Sequence, residues 1–390
     1  MGLELLFLLL PVAALSGWLM GRRDARDAGA REFSVFSSDY FKGLNFLLNE
    51  QPDKAIEVFI HMLEVDSDTV DTHFALGNLF RRRGEVDRAI RIHQNLIARP
   101  TLSRYQRDQA LYELGIDYMR AGLLDRAENL LLELVEESNS YRQQALCQLM
   151  DIYQQEKDWH KAIAIGQRLQ GMSEMAVGPV IAQFYCELAE VALHNGDTAA
   201  ALRMVRRALD EDRKCVRATL LEGRMELENR SYKSAIRTYK RVEQQDPAYL
   251  PEIIEPLQEA MLEQGRVGEM IAYLREVLNR HGGISTMLAL AELIGQQQGD
   301  KEAVVFITNY LRAHPSVRGM SRLINLKLES ADGHARDDMQ ILKDLTDKLL
   351  EAKPVYRCGN CGYTGKTLVW QCPSCKQWNT TKPIHGIEGE

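Results

Sequence analysis

A repeat of about 34 residues constrains this chain more than any other feature of its sequence. Glycines recur in the first third of the chain, each followed three residues later by an aromatic residue and twelve residues later by an alanine. A unit of this size cannot bury its apolar face alone, so neighbouring units must stack. The sequence therefore predicts a mainly α-helical array of hairpins. The clearest units are Gly43 with Phe46 and Ala55, Gly77 with Phe80 and Ala89, and Gly115 with Tyr118 and Ala127.

The recurring residue types also predict how each hairpin is built. Two helices approach closely only where side chains are small, so the glycine and the alanine of each unit should lie at the helix crossing. Gly84 and Gly122 follow the first glycine of their units by seven residues, where a left-handed backbone would end the first helix. The pattern resembles the tetratricopeptide repeat over residues 36–315, in about eight units whose small-residue markers fade after Pro247. This resemblance implies a surface that binds proteins or peptides.

Residues 316–353 continue the helical periodicity and predict one further hairpin that closes the array. The histidines and charge runs such as Arg81–Arg83 are interpreted as solvated faces. The three cysteines at 147, 186 and 215 are interpreted as packed small residues of the helices. The apolar positions of the closing hairpin are Leu323, Leu326, Leu328, Ile341, Leu342, Leu345 and Leu349.

Residues 1–21 predict a single transmembrane anchor. The run from Leu5 to Met20 carries no charge, and residues 1–21 as a helix would rise about 31 Å, enough for a hydrocarbon core of roughly 30 Å. A cleaved signal peptide would need a basic N-terminal region and a cleavage site of small residues. The one charged side chain among residues 1–21 is instead acidic, Glu4. The other alternative, a buried helix of a soluble domain, would require neighbouring elements to cover its apolar side chains on every side. Of the two flanks of this run, only the C-terminal one, the basic segment of residues 22–35, carries arginines, which predicts a periplasmic N-terminus and a cytoplasmic bulk of the chain.

Two Cys-x-x-Cys pairs in residues 354–390 predict a metal site. Two such knuckles can place four thiolates around one ion in a tetrahedral shell. A closed shell leaves no open position for catalysis, so the predicted ion, one iron or zinc, is structural or, if iron, redox-active. Two disulfides are the alternative, and a cytoplasmic location argues against them. The predicted ligands are Cys358, Cys361, Cys372 and Cys375.

The residues around these knuckles resemble two known kinds of small metal domain. The pairs Cys-Gly-Asn-Cys and Cys-Pro-Ser-Cys resemble rubredoxin, but the ten-residue spacer between them is shorter than in rubredoxins, which argues against electron transfer. The run that begins at Cys372 also resembles zinc ribbons. Trp370 and Trp378 are predicted to cover a core that is too small to fold without its metal.

Anchor, repeats and four-cysteine end, in that order, resemble the lipopolysaccharide assembly protein B family (LapB, formerly YciM). The resemblance covers essentially the whole chain and is clearest at residues 3–14, 77–94 and 358–384. It implies an inner-membrane adaptor of Gram-negative bacteria, which helps the membrane protease FtsH to degrade the lipid A deacetylase LpxC and so restrains lipopolysaccharide synthesis. It also implies contacts with other lipopolysaccharide assembly proteins and leaves homo-oligomerisation open. The family's metal ligands correspond to Cys358, Cys361, Cys372 and Cys375.

Two classes of function remain open from the sequence. The first is a non-enzymatic membrane adaptor. The second is a redox- or metal-sensing protein, whose cysteine cluster accepts electrons while the repeats bind a partner. The chain has no phosphate-binding glycine loop, nucleophile elbow or zinc-protease helix, so no catalytic residue is predicted. The net charge of −7, from 48 basic and 55 acidic residues, argues against a general nucleic-acid binder.

Overall fold

The computed structural model describes residues 40–49, 51–65, 70–172, 176–329, 332–351, 353–387 and 389–390. The predicted anchor and the basic segment after it lie outside these ranges. Within the described ranges, no helix combines the length and the apolar character that crossing a membrane requires. Internal contacts divide the chain into two units, one ending at Glu156 and the other beginning at Lys157.

The first unit is built from helices that pack in consecutive pairs. Residues 40–48 are helical, and six longer helices follow them within the described part of this unit. The repeat alanines Ala55, Ala89 and Ala127 are fully buried, as the spacing predicts. The six helices are α1 (Pro52–Val65), α2 (Val70–Arg82), α3 (Val86–Ile97), α4 (Arg104–Arg120), α5 (Leu124–Glu137) and α6 (Arg142–Glu156).

Gly77 shows why the repeat has glycine at its helix crossing. A Cβ atom on Gly77 would lie 2.5 Å from His93 Nε2, a distance that no side chain tolerates in a close-packed interior. Gly43 approaches Phe59 in the same way. Gly84 has a φ of 82°, the left-handed conformation in which the chain leaves α2 and turns into α3. The predicted close crossing and the predicted left-handed turn are both confirmed here.

Arg81 is an exception to the interpretation of charge runs as solvated faces. Its Nη1 atom lies 2.9 Å from Asp117 Oδ1, and its Nη2 atom lies 2.5 Å from Glu113 Oε2. Asp117 is fully buried and also lies 2.5 Å from His93 Nδ1. A buried carboxylate needs such partners because its desolvation is costly. The interpretation was therefore wrong for Arg81 and for His93, whose partner Asp117 comes from the next repeat.

The second unit continues the helical pairs and ends in a small sheet. Its core includes Leu257, Met270 and Leu290, which are fully buried. Its helices are α7 (Trp159–Gln170), α8 (Gly178–His194), α9 (Thr198–Glu211), α10 (Val216–Glu228), α11 (Tyr232–Lys240), α12 (Val242–Gln245), a 3-10 turn (Pro247–Tyr249), α13 (Leu250–Leu262), α14 (Val267–His281), α15 (Ile284–Gln298), α16 (Asp300–Ala313), α17 (Val317–Glu329) and α18 (His334–Glu351).

The segment of the predicted closing hairpin contains α17 and α18, which pack against each other. Thr346 on α18 is buried, and Asp347 accepts a hydrogen bond from Ser321 on α17 at 3.1 Å. Most of the apolar side chains of α18 are nevertheless exposed, because they occupy another side of the helix. These exposed side chains are Ile341, Leu342, Leu345 and Leu349.

Three short strands follow α18 and form an antiparallel sheet in the order β2-β1-β3. They are β1 (Tyr356–Cys358), β2 (Thr364–Gly365) and β3 (Thr381–Pro383). Arg357 is opposite Thr364 on one side of β1, and Cys358 is opposite Thr381 on the other. We refer to residues 356–383 as the ribbon and to residues 384–390 as the C-terminal tail.

Candidate metal centre

The ribbon contains two turns with the same backbone design, and each carries one cysteine pair. Gly362 donates its N–H to the carbonyl oxygen of Cys358 at 3.0 Å, and Lys376 donates to that of Cys372 at 2.9 Å. Gly362 has a φ of 79° and Lys376 a φ of 59°. Both residues thus have the left-handed backbone conformation, which glycine adopts freely and lysine adopts only at an energetic cost. The first knuckle thus turns at a glycine, and the second knuckle makes the same turn at a lysine.

The four predicted ligands come together in the ribbon. Their sulfur atoms all lie within 4.8 Å of one another. The Sγ atoms of Cys358 and Cys375 are 3.7 Å apart, and those of Cys361 and Cys372 are 3.6 Å apart. A tetrahedron with metal–sulfur bonds of about 2.3 Å has edges of about 3.8 Å. These two sulfur–sulfur distances therefore match the edges of a tetrahedral zinc or iron shell, and all four sulfur atoms are close enough to share one ion.

Hydrogen bonds within the ribbon favour thiolates, the form in which cysteine binds metal. The Thr380 hydroxyl lies 3.2 Å from Cys358 Sγ, and this bond, with the backbone N–H of Cys361, lowers the pKa of Cys358 to about 6. The pKa of Cys375 is lowered as well, first by the side chain of Asn360 and then by the backbone N–H of Gln377. Amide and hydroxyl donors thus stabilise negative sulfur at Cys358 and Cys375, whereas burial raises the pKa of Cys372 to about 11.

The two ribbon tryptophans contact the helical repeats. Trp378 meets Trp159 of α7 and Phe184 of α8 edge to face, with ring centroids 6.2 and 6.0 Å apart. Trp370 stacks on Tyr249 of the 3-10 turn at 5.5 Å. The sequence interpretation assigned both rings to covering the ribbon's own core and missed this docking. Their aromatic partners lie more than a hundred residues away in the chain, so no local pattern reveals them.

Arg217 of α10 lies between the two tryptophans. Its guanidinium is 6.0 Å from the ring centroid of Trp370 and 6.0 Å from that of Trp378. The residue is only 3% exposed, and its charge is paired with Glu187 at 2.8 Å and Glu190 at 2.9 Å. A desolvated cation between two aromatic rings is a strong version of the cation–π contact. We refer to Trp159, Phe184, Arg217 and Tyr249 as the ribbon-binding surface.

Polar contacts fix the orientation of the ribbon on this surface. The Tyr249 hydroxyl lies 2.9 Å from Asn379 Oδ1 and 3.0 Å from the carbonyl oxygen of Thr381, and it donates to this pair of acceptors. Lys382 Nζ forms an ion pair with Asp246 at 2.7 Å. Tyr249 is fully buried, so in the docked state its hydroxyl depends on these two ribbon acceptors for its hydrogen bonds.

The C-terminal tail adds a second attachment to the helices. Glu390 accepts hydrogen bonds from the backbone N–H and the hydroxyl of Ser285, at 2.9 and 2.5 Å, and forms an ion pair with Arg318. Val317 donates its N–H to the carbonyl oxygen of Ile387 at 2.8 Å. The negative carboxylate lies at the start of α15, where free backbone N–H groups favour an anion. No signal in the sequence pointed to this contact.

The fold and the site together define a class of protein, in which tetratricopeptide-type helical repeats carry a rubredoxin-like four-cysteine ribbon. Residues 356–383 match the family model described as a rubredoxin metal binding domain. Residues 72–105 and 186–249 each match tetratricopeptide repeat models.

Full-length relatives identify the family. The chain is 41% identical to lipopolysaccharide assembly protein B of Escherichia coli (strain K12) over 388 residues, which covers 99% of this chain and 100% of that protein. It is 36% identical to lipopolysaccharide assembly protein B of Haemophilus influenzae over 395 residues, or 99% of each chain. The chain therefore belongs to the lipopolysaccharide assembly protein B family.

Proposed function

We propose that this protein is a non-enzymatic adaptor in lipopolysaccharide assembly, tethered to the inner membrane with its repeats in the cytoplasm. In this role it promotes degradation of the deacetylase LpxC by the membrane protease FtsH, and so limits lipopolysaccharide synthesis. Family membership supports the assembly role. The uncharged run from Leu5 to Met20, followed by arginines, supports the tether.

The same proposal assigns Cys358, Cys361, Cys372 and Cys375 as the ligands of one zinc or iron ion. The observation that carries it is the match between their sulfur spacings of 3.6 and 3.7 Å and the edges of a tetrahedral thiolate shell. A segment as short as the ribbon has little apolar core, so a bound ion would supply much of its folding free energy. Four protein ligands leave no open position, which fits a structural ion in an adaptor.

The docking of the ribbon gives this ion a role beyond the ribbon itself. Trp370, Asn379 and Thr381 all lie in the ribbon and contact Tyr249. We expect these contacts to require the folded knuckles. The metal would therefore keep one defined surface, made jointly by the ribbon and α7 to α13, available to protein partners. Loss of the metal would remove that surface while the helical pairs, which have their own buried core, remain folded.

The test is the half-life of LpxC in cells whose only copy of the gene encodes Cys372→Ser. We expect metal loss, a longer LpxC half-life and more lipopolysaccharide, while the variant stays membrane-bound. The matched control is Cys147→Ser, which removes a half-buried thiol outside the ribbon. A normal LpxC half-life despite metal loss, measured by elemental analysis of the purified variant, would overturn the role assigned to the ribbon.

A further inference from the structure

Cys186 and Cys215 form a pair of buried thiols that the metal centre does not use. Cys186 lies within α8, and Cys215 is the residue that precedes α10. Their Sγ atoms are 3.9 Å apart, and the residues are 0% and 1% exposed. The interpretation of these cysteines as packed residues is thus confirmed. Because the two thiols are also adjacent, they can be oxidised to a disulfide.

The two thiols differ in their surroundings. The hydrogen bond from Cys186 and the backbone N–H of Ala218, in the first turn of α10, lower the pKa of Cys215. Gln183 adds a third donor, with Nε2 at 3.5 Å from Cys215 Sγ. Burial raises the pKa of Cys186 instead. The donors around Cys215 therefore favour Cys215 as the first sulfur to react, and Cys186 as the thiol that completes the disulfide.

The pair is linked to the ribbon through the first turn of α10. Arg217, which lies between Trp370 and Trp378, follows Cys215 by two residues. The carbonyl oxygen of Cys215 accepts the N–H of Thr219, which fixes this turn. The two sulfur atoms are 3.9 Å apart, whereas a disulfide bond is about 2.05 Å long, so oxidation would draw the side chain of Cys215 and the start of α10 toward α8. Because interiors are close-packed, we expect a shift of this turn to displace Arg217 as well.

We propose that Cys186 and Cys215 are a modification site, an oxidisable dithiol that a peroxide converts to a disulfide, and that this disulfide weakens docking of the ribbon. The inference rests on the docked geometry and does not depend on the adaptor role. Hydrogen peroxide is the oxidant of this proposal because it is small and uncharged and is reduced to water when it oxidises a thiol. The Arg217 contacts are the path by which the modification reaches the ribbon.

The reaction balances in two steps. The Cys215 thiolate attacks one oxygen of the peroxide, the O–O bond breaks, and Cys215 becomes a sulfenic acid. The departing hydroxide takes the proton of Cys186 and leaves as water. The Cys186 sulfur then attacks the Cys215 sulfur, the S–O bond breaks, and the second oxygen leaves as hydroxide that solvent protonates to water. In total two thiols are oxidised by two electrons, and one peroxide is reduced to two waters.

The first experiment uses the full-length, metal-loaded protein in detergent, treated with hydrogen peroxide and then alkylated after unfolding. We expect a peptide pair linked through Cys186 and Cys215, detected by mass spectrometry. In Cys186→Ala the reaction should stop at a Cys215 sulfenic acid that dimedone traps, whereas Cys147→Ser should form the linked pair normally. If Cys186 and Cys215 both remain alkylatable under conditions that oxidise the ribbon cysteines, the proposal is wrong.

The second experiment measures the consequence for the ribbon. Peroxide is removed after oxidation, and metal release to a coloured chelator is followed. Oxidised wild-type protein should release its metal about tenfold faster than the reduced protein, the scale on which lost supporting contacts weaken metal sites. The double variant Cys186→Ala, Cys215→Ala, treated identically, corrects for direct oxidation of the ribbon. Equal release from the oxidised wild type and this double variant would refute the coupling between disulfide and ribbon.

Discussion

The ribbon and α18 are neighbours in the sequence, but their large apolar side chains have different surroundings. Most of those on α18 are exposed, whereas those of the ribbon contact the helical repeats. On α18, Leu345 and Leu349 are 55% and 57% exposed, although their periodicity is that of a packed helix. In the ribbon, which has no such periodicity, Trp370 and Trp378 both contact aromatic residues of the repeats. Apolar periodicity therefore identified the helix correctly but did not reveal which of its faces has a partner.

The difference has a physical cause in how each element obtains its conformation. A helix satisfies its own backbone hydrogen bonds, so α18 needs only one packed face to be stable. The ribbon has only eight residues in strands, and it depends on external contacts and on the proposed ion. Its aromatic rings, with Lys382 bonded to Asp246, attach it to the helices. Perturbing the ribbon should therefore change the protein far more than perturbing α18.

The largest effect is expected from removing one thiolate, as in Cys372→Ser. The ribbon should lose its metal and its order, which exposes Tyr249, Trp159 and Phe184 to water. We expect a clearly lower melting temperature and altered tryptophan fluorescence, while the far-ultraviolet circular dichroism stays mostly helical. An unchanged melting temperature after proven metal loss would mean that docking contributes nothing to stability. Complete loss of helicity would mean that the repeats cannot fold without the ribbon.

The next effect concerns the cation between the two tryptophans. Arg217→Met keeps much of the side-chain volume but removes the charge that Glu187 and Glu190 share. We expect a loss of about 2–3 kcal/mol in the free energy of unfolding, less than for a fully buried pair because both carboxylates can rehydrate.

The matched control for this variant lies on the same helix. Arg224→Met removes an exposed ion pair with Glu228 and should cost less than about 0.5 kcal/mol. Denaturant unfolding of the two variants beside wild type gives both values. Equal losses in the free energy of unfolding would show that Arg217 contributes no more than an exposed ion pair does.

A smaller effect is expected at a helix crossing of the first unit. Ala89→Leu places three extra carbon atoms at a position that is fully buried, and should cost about 1–3 kcal/mol through overpacking. Thermal unfolding measures this loss. Lys42→Ala is the control, since Lys42 precedes a crossing glycine but is itself exposed. If Ala89→Leu melts like wild type, the assignment of Ala89 to the crossing is wrong.

The features that the sequence predicted are those with a local physical cause. Gly77, Gly84 and Ala89 have the conformations and contacts that their spacing predicts, because each is set within one hairpin. Cys358 and Cys372 start knuckles whose turns involve only a few residues, so the cysteine spacing sufficed to bring four sulfur atoms together.

The features that the sequence missed depend on partners far away in the chain. Trp378 is separated from Trp159 by more than two hundred residues, and Glu390 from Ser285 by 105. A single sequence has no periodic signal for such contacts. Arg81 was misjudged for the same reason, since its carboxylate partner Asp117 belongs to the next repeat.

The smallest effect is expected on α18. Leu345→Lys replaces a side chain that is already 55% exposed, and Lys343 and Lys348 show that the helix carries lysine at nearby positions. The stem of a lysine can lie along the same surface while its charge stays in water, so the free energy of unfolding should change by less than about 0.5 kcal/mol. Denaturant unfolding measures the change, with Leu326→Lys, a buried position on α17, as the destabilising control. If Leu345→Lys were as destabilising as the control, the aliphatic face of α18 would be covered in the folded protein, and the contrast between the docked ribbon and the open helix would fail.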